Sequence, residues 1–333
     1  RLMNFFSIII PLYNRPAEIR ELLDSLVQQA YKHFEVVVVE DGSTEKSEDI
    51  VASFRDRLEV KYFFKENSGP GLSRNYGAER ASGDYFIFLD SDCIVPVEYL
   101  QEIENELSTS PVDAFGGPDR AHESFTDQQK AINYSMTSIL TTGGIRGKKK
   151  SMEKFHPRSF NMGFSRRVFE TTKGFSGMRF GEDIDMSIRI MEAGFQTRLF
   201  PAAYVYHKRR TSWKKFFKQI YNSGIARINL YLLHPASLKV VHLLPACFVV
   251  GVSVLVIGAI LVSIWSLLPL LLWACLIFID SLIENRSIVV AFYSICASFI
   301  QLFAYGIGFI HAFFKRIVFR KGEFNVFVKN FYK

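Results

Sequence analysis

The sequence predicts an α/β protein with a doubly wound, mostly parallel sheet, followed by a C-terminal region of transmembrane helices. Three observations carry this reading. Short β-branched and aromatic runs alternate with helix-periodic stretches over roughly the first two thirds of the chain, the pattern of strands buried on both faces and joined by helical crossovers. Acid-rich turns follow the second and fourth runs, where an open α/β sheet presents its ligand crevice. Two long stretches then contain no Asp, Glu, Lys or Arg, 40 residues from Val240 to Ile279 and 28 from Ser287 to Phe314.

The strand-like runs are Ser7 to Pro11, Phe34 to Glu40, Val60 to Phe64 and Asp84 to Leu89. Pro16 to Gln29 reads as a helix, with Pro at its first position and Ile19, Leu22, Leu23 and Leu26 on one face. Gly69-Pro70-Gly71-Leu72-Ser73-Arg74-Asn75 is expected to precede a helix running to about Ala81. Gly181-Glu182-Asp183-Ile184-Asp185 leads into a helical stretch from Met186 to Ala193, closed by Gly194. Tyr204 to Tyr206 reads as an edge strand ahead of His207. From Ser212 to about Leu233, Trp213, Phe216, Phe217, Ile220 and Tyr221 recur at helical spacing opposite Lys214, Lys215 and Lys218. That pattern suits a helix lying in an anionic membrane surface, or an amphipathic helix packed on the domain.

With 49% hydrophobic and 22% charged residues in 333, the chain is excluded from the disordered class. Its net charge of +7 comes from cations crowded beside the apolar runs, namely Lys208, Arg209, Arg210 and Lys239 before them and Lys315, Arg316, Arg320 and Lys321 after them. No nucleic-acid motif accompanies them, so no nucleic-acid partner is expected. Cys247, Cys275 and Cys296 lie in the apolar runs and Cys93 beside acids, a distribution with neither disulfide nor zinc spacing. The N-terminus enters a strand-like run at once, so no secretory signal is expected, and Arg1 and Leu2 ahead of Met3 read as a cloning remnant.

Asp90 and Asp92 sit one residue apart at a strand end, where alternate side chains point the same way. Two such carboxylates repel unless a cation sits between them, and Mg²⁺ or Mn²⁺ suits oxygen ligands and substrate phosphates. The glycines before the helix at 70 suggest an anion cradle, with Arg74 as a cationic fork. Of the acids at 182, 183 and 185, one reaching the crevice would serve as a general base, although acids also favour a first helical turn through the macrodipole. His207, beside a basic triplet, is a candidate for metal or phosphate contact.

Together these residues resemble the family 2 glycosyltransferases, inverting enzymes of the GT-A fold. Ile9-Ile10-Pro11-Leu12-Tyr13-Asn14, Glu40-Asp41-Gly42-Ser43, Gly71-Leu72-Ser73-Arg74-Asn75, Leu89-Asp90-Ser91-Asp92 and Gly181-Glu182-Asp183-Ile184-Asp185 stand in the family's order and spacing, and the resemblance covers about Phe6 to Leu233. It implies that Pro11, Tyr13, Asn14, Glu40 and Asp41 line a nucleoside pocket, with Gly69, Arg74, Asp90 and Ser91 also on the nucleotide-sugar. It further implies that Asp92 and His207 hold the metal, that Asp183 is the catalytic base, and that Glu182 is its neighbour in the acceptor site. Glu40 stands where Asp is commoner and reaches further. The implied donor is a nucleotide-sugar, a UDP-sugar above all.

A membrane span needs about 20 apolar residues, so the first charge-free run is long enough for two crossings and the second for one. The expected organisation is a catalytic domain over 3–235, including the amphipathic helix, two to three spans over 238–314, and a basic tail over 315–333. Cations on both flanks put both in the cytoplasm, which asks for an even number of crossings. Gly306-Ile307-Gly308 or Pro269 are candidates for breaking a span. The expected location is the inner membrane, multi-pass, with a cytoplasmic catalytic domain and a lipid or lipid-linked glycan as acceptor. The chain lacks the Gln-X-X-Arg-Trp element of processive synthases, which favours adding one or a few sugars. Two other readings share the pocket: a nucleotidyltransferase, and a membrane-anchored nucleotide-sugar-binding protein without turnover.

Overall fold

In a computed structural model, residues 3–120, 122–142, 155–208 and 212–326 are described. Arg209, Arg210 and the last part of the basic tail lie outside them. The chain divides into two compact units, residues 1–122 with 149–208, and residues 123–148 with 209–333.

The first unit is built on β1 (Phe6–Leu12), α1 (Pro16–Val27), β2 (Phe34–Asp41), α2 (Glu48–Ala52), β3 (Val60–Lys65), α3 (Pro70–Ala78), β4 (Tyr85–Leu89), β5 (Cys93–Ile94), α4 (Tyr99–Thr109), β6 (Ala114–Gly116) and β7 (Asp119–Arg120). The second unit contributes α5 (Asp127–Thr137) and α6 (Ile139–Thr142), after which the first resumes with β8 (Asn161–Ser165), α7 (Arg166–Thr172), α8 (Glu182–Glu192), β9 (Thr197–Leu199) and β10 (Val205–His207). Seven strands form one sheet in the order β3-β2-β1-β4-β8-β6-β9. Only β8 runs against its neighbours, so the sheet is mostly parallel as expected.

Alternation along the strands builds two cores. Ile8, Ile10, Val36, Val38, Ile87 and Leu89 face one side, with Ile19, Leu22, Leu23 and Leu26 of α1 and Leu100 and Ile103 of α4. Ile9, Val37, Val39, Phe86 and Phe88 face the other, with Ala78 of α3 and Met186 and Ile190 of α8. Each fully buried aliphatic side chain contributes about 1.5–3 kcal/mol, which is why the strands read as continuous apolar runs. At Gly77 an added Cβ would lie 2.6 Å from Ile9 Cγ2, so α3 sits against the sheet through a missing side chain. The parallel register ends with Leu12 beside Glu40 and Asp41 beside Lys65, which sets the turns after β1, β2 and β4 along one edge.

Three boundaries differ from expectation. The helix after Gly69 begins at Pro70, because Gly69 at φ 95 is its N-cap, so Gly71 to Asn75 lie inside it. The acids at 182, 183 and 185 lie inside α8, which starts at Glu182 after Gly181 at φ 80. The run Tyr204 to Tyr206 is not an edge: β10 is the central strand of a second sheet, β5-β10-β7.

The second unit continues with α9 (Trp213–Leu233), α10 (Leu244–Leu261), α11 (Leu268–Asn285) and α12 (Ile288–Ala312). Among the described residues, three stretches are long and apolar enough to cross a membrane: Leu244–Leu261, Ile264–Asn285 and Ile288–Val318, with mean hydropathies of 2.6, 2.2 and 1.9. The breaks fall elsewhere than expected. Pro269 lies in the first turn of α11, where its missing N–H costs nothing, and Gly306 and Gly308 lie within unbroken α12. Their role is close approach, since a Cβ on Gly308 would lie 2.1 Å from the Tyr221 carbonyl oxygen and one on Gly224 2.2 Å from that of Tyr305. Phe216 and Ile220 of α9 are buried with Ala131, Ile132 and Met136 of α5 and Val290, Ala297 and Ala304 of α12. Of the two surroundings open to this apolar face, a membrane surface or protein, Phe216 and Ile220 meet protein, and packing groups α9 with the apolar helices although composition drew the boundary at 235.

Candidate active site

The turn after β1 starts the site. Pro11 pairs with Val39 in the sheet, and Tyr13 follows at the strand end, half-buried. Asn14 takes the left-handed conformation at φ 49. Four hydrogen bonds hold it: its N–H donates to Ser43 Oγ at 2.8 Å, and its Oδ1 accepts from the N–H groups of Thr44 at 2.9 Å and Glu45 at 3.0 Å and from the Thr44 hydroxyl at 3.2 Å. The motifs after β1 and β2 thus lock together.

Glu40 is buried, with Oε2 accepting from Ser47 N at 2.8 Å and from the Tyr62 hydroxyl at 2.5 Å. Burial, joined by that carboxylate, pushes the Tyr62 phenol far above its ordinary pKa. Asp41 turns to the next loop, where Oδ1 accepts from Ser68 N and Lys65 Nζ and Oδ2 from Gly69 N at 2.9 Å. The anion at the start of α3 is therefore the protein's own Asp41 carboxylate, and the amide of Gly69, expected to cradle a ligand, is committed to it. Arg74 is buried inside α3 and forks between two carboxylates, Nη2 to Asp90 Oδ1 and Nη1 to Glu182 Oε1, each at 2.9 Å. Burial works against its charge, but Asp90 and Glu182 outweigh this and raise its pKa.

Ser91 is buried in the turn between the two acids. Asp92 meets Arg15 Nη1 at 2.8 Å through Oδ2 and His207 Nε2 at 3.1 Å through Oδ1, and the same imidazole nitrogen is 4.0 Å from Asp90 Oδ2. Strand pairing explains this closeness, because His207 lies opposite Cys93 in the small sheet. On its other side, His207 Nδ1 faces Asp119 Oδ2 at 3.9 Å. Burial lowers the His207 pKa, but Asp92 and Asp90 reverse the balance and leave it raised.

Asp92, Cys93 and His207 each place a ligand atom within 4.8 Å of the others. An oxygen and an imidazole nitrogen, with a carboxylate facing the far ring nitrogen, form a donor set that fits Mn²⁺ or a similar divalent ion. The Cys93 thiol instead points to the Phe160 carbonyl at 3.6 Å.

Across the crevice, Asp183 is held by Arg158 Nε at 2.8 Å on Oδ2 and by Ile184 N at 2.8 Å on Oδ1. Glu182, buried against Arg74, has its pKa pushed up to about 7 by desolvation, with Asp183 adding to the shift and Arg74 opposing it. The candidates from the sequence fall on β1, at the end of β2, in the turns after β1 and β4, at the start of and within α3, on β10 of the small sheet and on α8, and Arg74 ties the acids at 90 and 182 directly. Arg15, Arg158, Asp119, Lys65 and Tyr62 went unread. Arg15 directly follows a recognised motif that ends at Asn14, whereas no spacing or periodicity marks the other four.

The family model described as glycosyl transferase family 2 matches residues 7–172. An uncharacterized glycosyltransferase of Rickettsia typhi is 40% identical over 114 residues, 33% of this chain and 35% of the relative. Validoxylamine A glucosyltransferase of Streptomyces hygroscopicus subsp. jinggangensis is 42% identical over 101 residues, 29% of this chain and 24% of the relative. The chain therefore spans about a third or less of the length of these curated relatives. Among solved structures, the mannosyltransferase PcManGT from Pyrobaculum calidifontis, in complex with GDP-Man and Mn²⁺, aligns with a TM-score of 0.62 over 91% of this chain and 88% of its own, at 19% identity, a likeness of fold. With a GT-A-type sheet, the motifs in order and a family model matching residues 7–172, this chain carries a glycosyl transferase family 2 domain.

Proposed function

We propose that the chain is a metal-dependent, inverting glycosyltransferase that moves a sugar from a nucleotide-sugar to a membrane-associated acceptor, a lipid or lipid-linked glycan. One observation supports it most: Arg74 bonds Asp90 and Glu182 at 2.9 Å each, so the acids after β4 and those of α8 line one crevice. PcManGT, similar in fold, is in complex with GDP-Man and Mn²⁺. A UDP-sugar is the donor favoured by the motif resemblance.

In this reading the Asp183 carboxylate takes the proton of an acceptor hydroxyl as its oxygen attacks the anomeric carbon. The bond from that carbon to the diphosphate breaks on the opposite face, inverting the centre and releasing the nucleoside diphosphate. Arg158 Nε orients the base. Arg74 keeps Asp90 and Glu182 from repelling each other. Asp92 and His207 would hold the divalent ion, which supplies positive charge to the departing diphosphate. The three apolar helices support placement of the enzyme at the inner membrane as a multi-pass protein with its catalytic domain in the cytoplasm.

A panel of nucleotide-sugars scored for thermal stabilisation with Mn²⁺ or Mg²⁺ tests the donor, since a ligand bound to the native state raises its melting temperature. At least one sugar nucleotide should stabilise the protein and release its nucleoside diphosphate only when an acceptor lipid is present. No stabilisation by any UDP- or GDP-sugar would overturn the reading.

A further inference from the structure

Arg15 places a positive charge where the divalent ion would act. Its Nη1 lies 2.8 Å from Asp92 Oδ2, while His207 Nε2 takes the other oxygen at 3.1 Å. The carboxylate assigned to the ion is thus already neutralised by the protein. A guanidinium and a divalent ion held on one carboxylate repel strongly at such short range.

The backbone at Arg15 is fixed. Asn14 before it is pinned by the turn after β2, Pro16 after it opens α1, and the Arg15 carbonyl accepts from Ile19 N at 3.1 Å. The side chain is not fixed in the same way, being 25% exposed at the rim of the crevice on a long unbranched stem. Its planar fork matches the paired oxygens of a diphosphate.

We propose that Arg15 is an exchangeable resident cation. It holds Asp92 until a nucleoside diphosphate arrives, then moves its guanidinium to the diphosphate and frees the carboxylate for the divalent ion. The inference rests on the nucleotide-sugar reading above and adds a consequence to it. Metal and nucleotide must favour each other's binding, by equal factors in both directions, with Arg15 as the group that transmits the effect.

Calorimetric titration of the full chain in detergent with Mn²⁺ alone, and with Mn²⁺ in the presence of UDP or GDP, tests this. In the wild type, Mn²⁺ alone should bind weakly, and the nucleotide should tighten it by about 10-fold or more, the usual scale of a coupled pair of sites. In Arg15→Met, Mn²⁺ alone should bind about 10-fold tighter than in the wild type, and most of the tightening by nucleotide should vanish. Arg15→Gln, which keeps a hydrogen bond to Asp92 without the charge, should behave like the Met variant and serves if the latter does not fold. Unchanged or weaker Mn²⁺ affinity in both variants, with UDP or GDP still bound, would overturn the exchange. Failure of the wild type itself to bind either nucleotide would instead overturn the donor reading beneath it.

Discussion

The two units use the same apolar residues in opposite ways. In the first, Ile8, Val36, Ile87 and their neighbours are buried, and charge collects where the strands end. In the second, α10 has no buried residue at all, and Val250, Val254, Ile257, Ile260 and Leu261 are exposed. The buried positions of the other helices in this unit include small or neutral polar residues: Ser281 and Ser294 hydroxyls meet at 2.7 Å, and Gly224 and Gly308 admit a neighbouring backbone. Water makes apolar burial the driving force in one unit, whereas helices long and apolar enough to cross a membrane would, in hydrocarbon, depend on close packing and hydrogen bonding instead. The first unit can hold ion pairs at a crevice because its core is stabilised elsewhere, on both faces of the sheet.

Four substitutions break or sharpen this contrast. Asp183→Asn should lower turnover by about 10²-fold or more, the scale of a lost general base, while donor binding measured by calorimetry stays intact. Near-normal turnover would remove Asp183 from its assigned role. In the other unit, Gly308→Val should destabilise the α9 to α12 packing by about 1–3 kcal/mol, the cost of overfilling a close contact, read as a lower melting temperature in detergent. Donor affinity should not follow if the two units keep their separate kinds of stability.

Glu182→Gln tests the ionic crevice through pH. Its pKa of about 7 lies above the ordinary carboxylate value, so the folded state binds a proton more readily than the unfolded chain does. Stability from that proton is full below the unfolded pKa and is lost as pH rises to about 7. The variant should therefore gain on the wild type by about 1–3 kcal/mol between pH 5 and pH 8, read from melting curves across pH. A difference that does not change with pH would mean that Glu182 titrates normally. Arg158→Gln is expected to have the smallest effect, a loss of about 10-fold in kcat with donor affinity held and the pH profile of kcat displaced, as a base loses its orienting partner. A profile of unchanged shape would reduce Arg158 to a structural contact.

Much of this was legible beforehand, for reasons visible in particular residues. Runs such as Val36 to Val39 can only be strands buried on both sides, and Leu89-Asp90-Ser91-Asp92 follows a strand at its carboxyl end, so sheet and crevice could be read together. The starts of α3 and α8 were misread by several residues because Gly69 and Gly181, at φ 95 and 80, act as N-caps while the residues after them are already helical. The direction of α9's apolar face was open as well, since membrane lipid and the small residues of α12 accept the same Phe216 and Ile220.

The order of strands and helices, the acidic turns and the length of the apolar stretches follow from the sequence alone, because each depends on residues adjacent in the chain. Which cation meets which carboxylate was decided by the tertiary structure. Arg15 reaches Asp92, Arg74 joins Asp90 to Glu182, and Arg158 finds Asp183 across separations of 16 to 108 residues. Basic side chains are long and common, and only the folded sheet edge, with water largely excluded, selects which of them are close enough for a charge to matter.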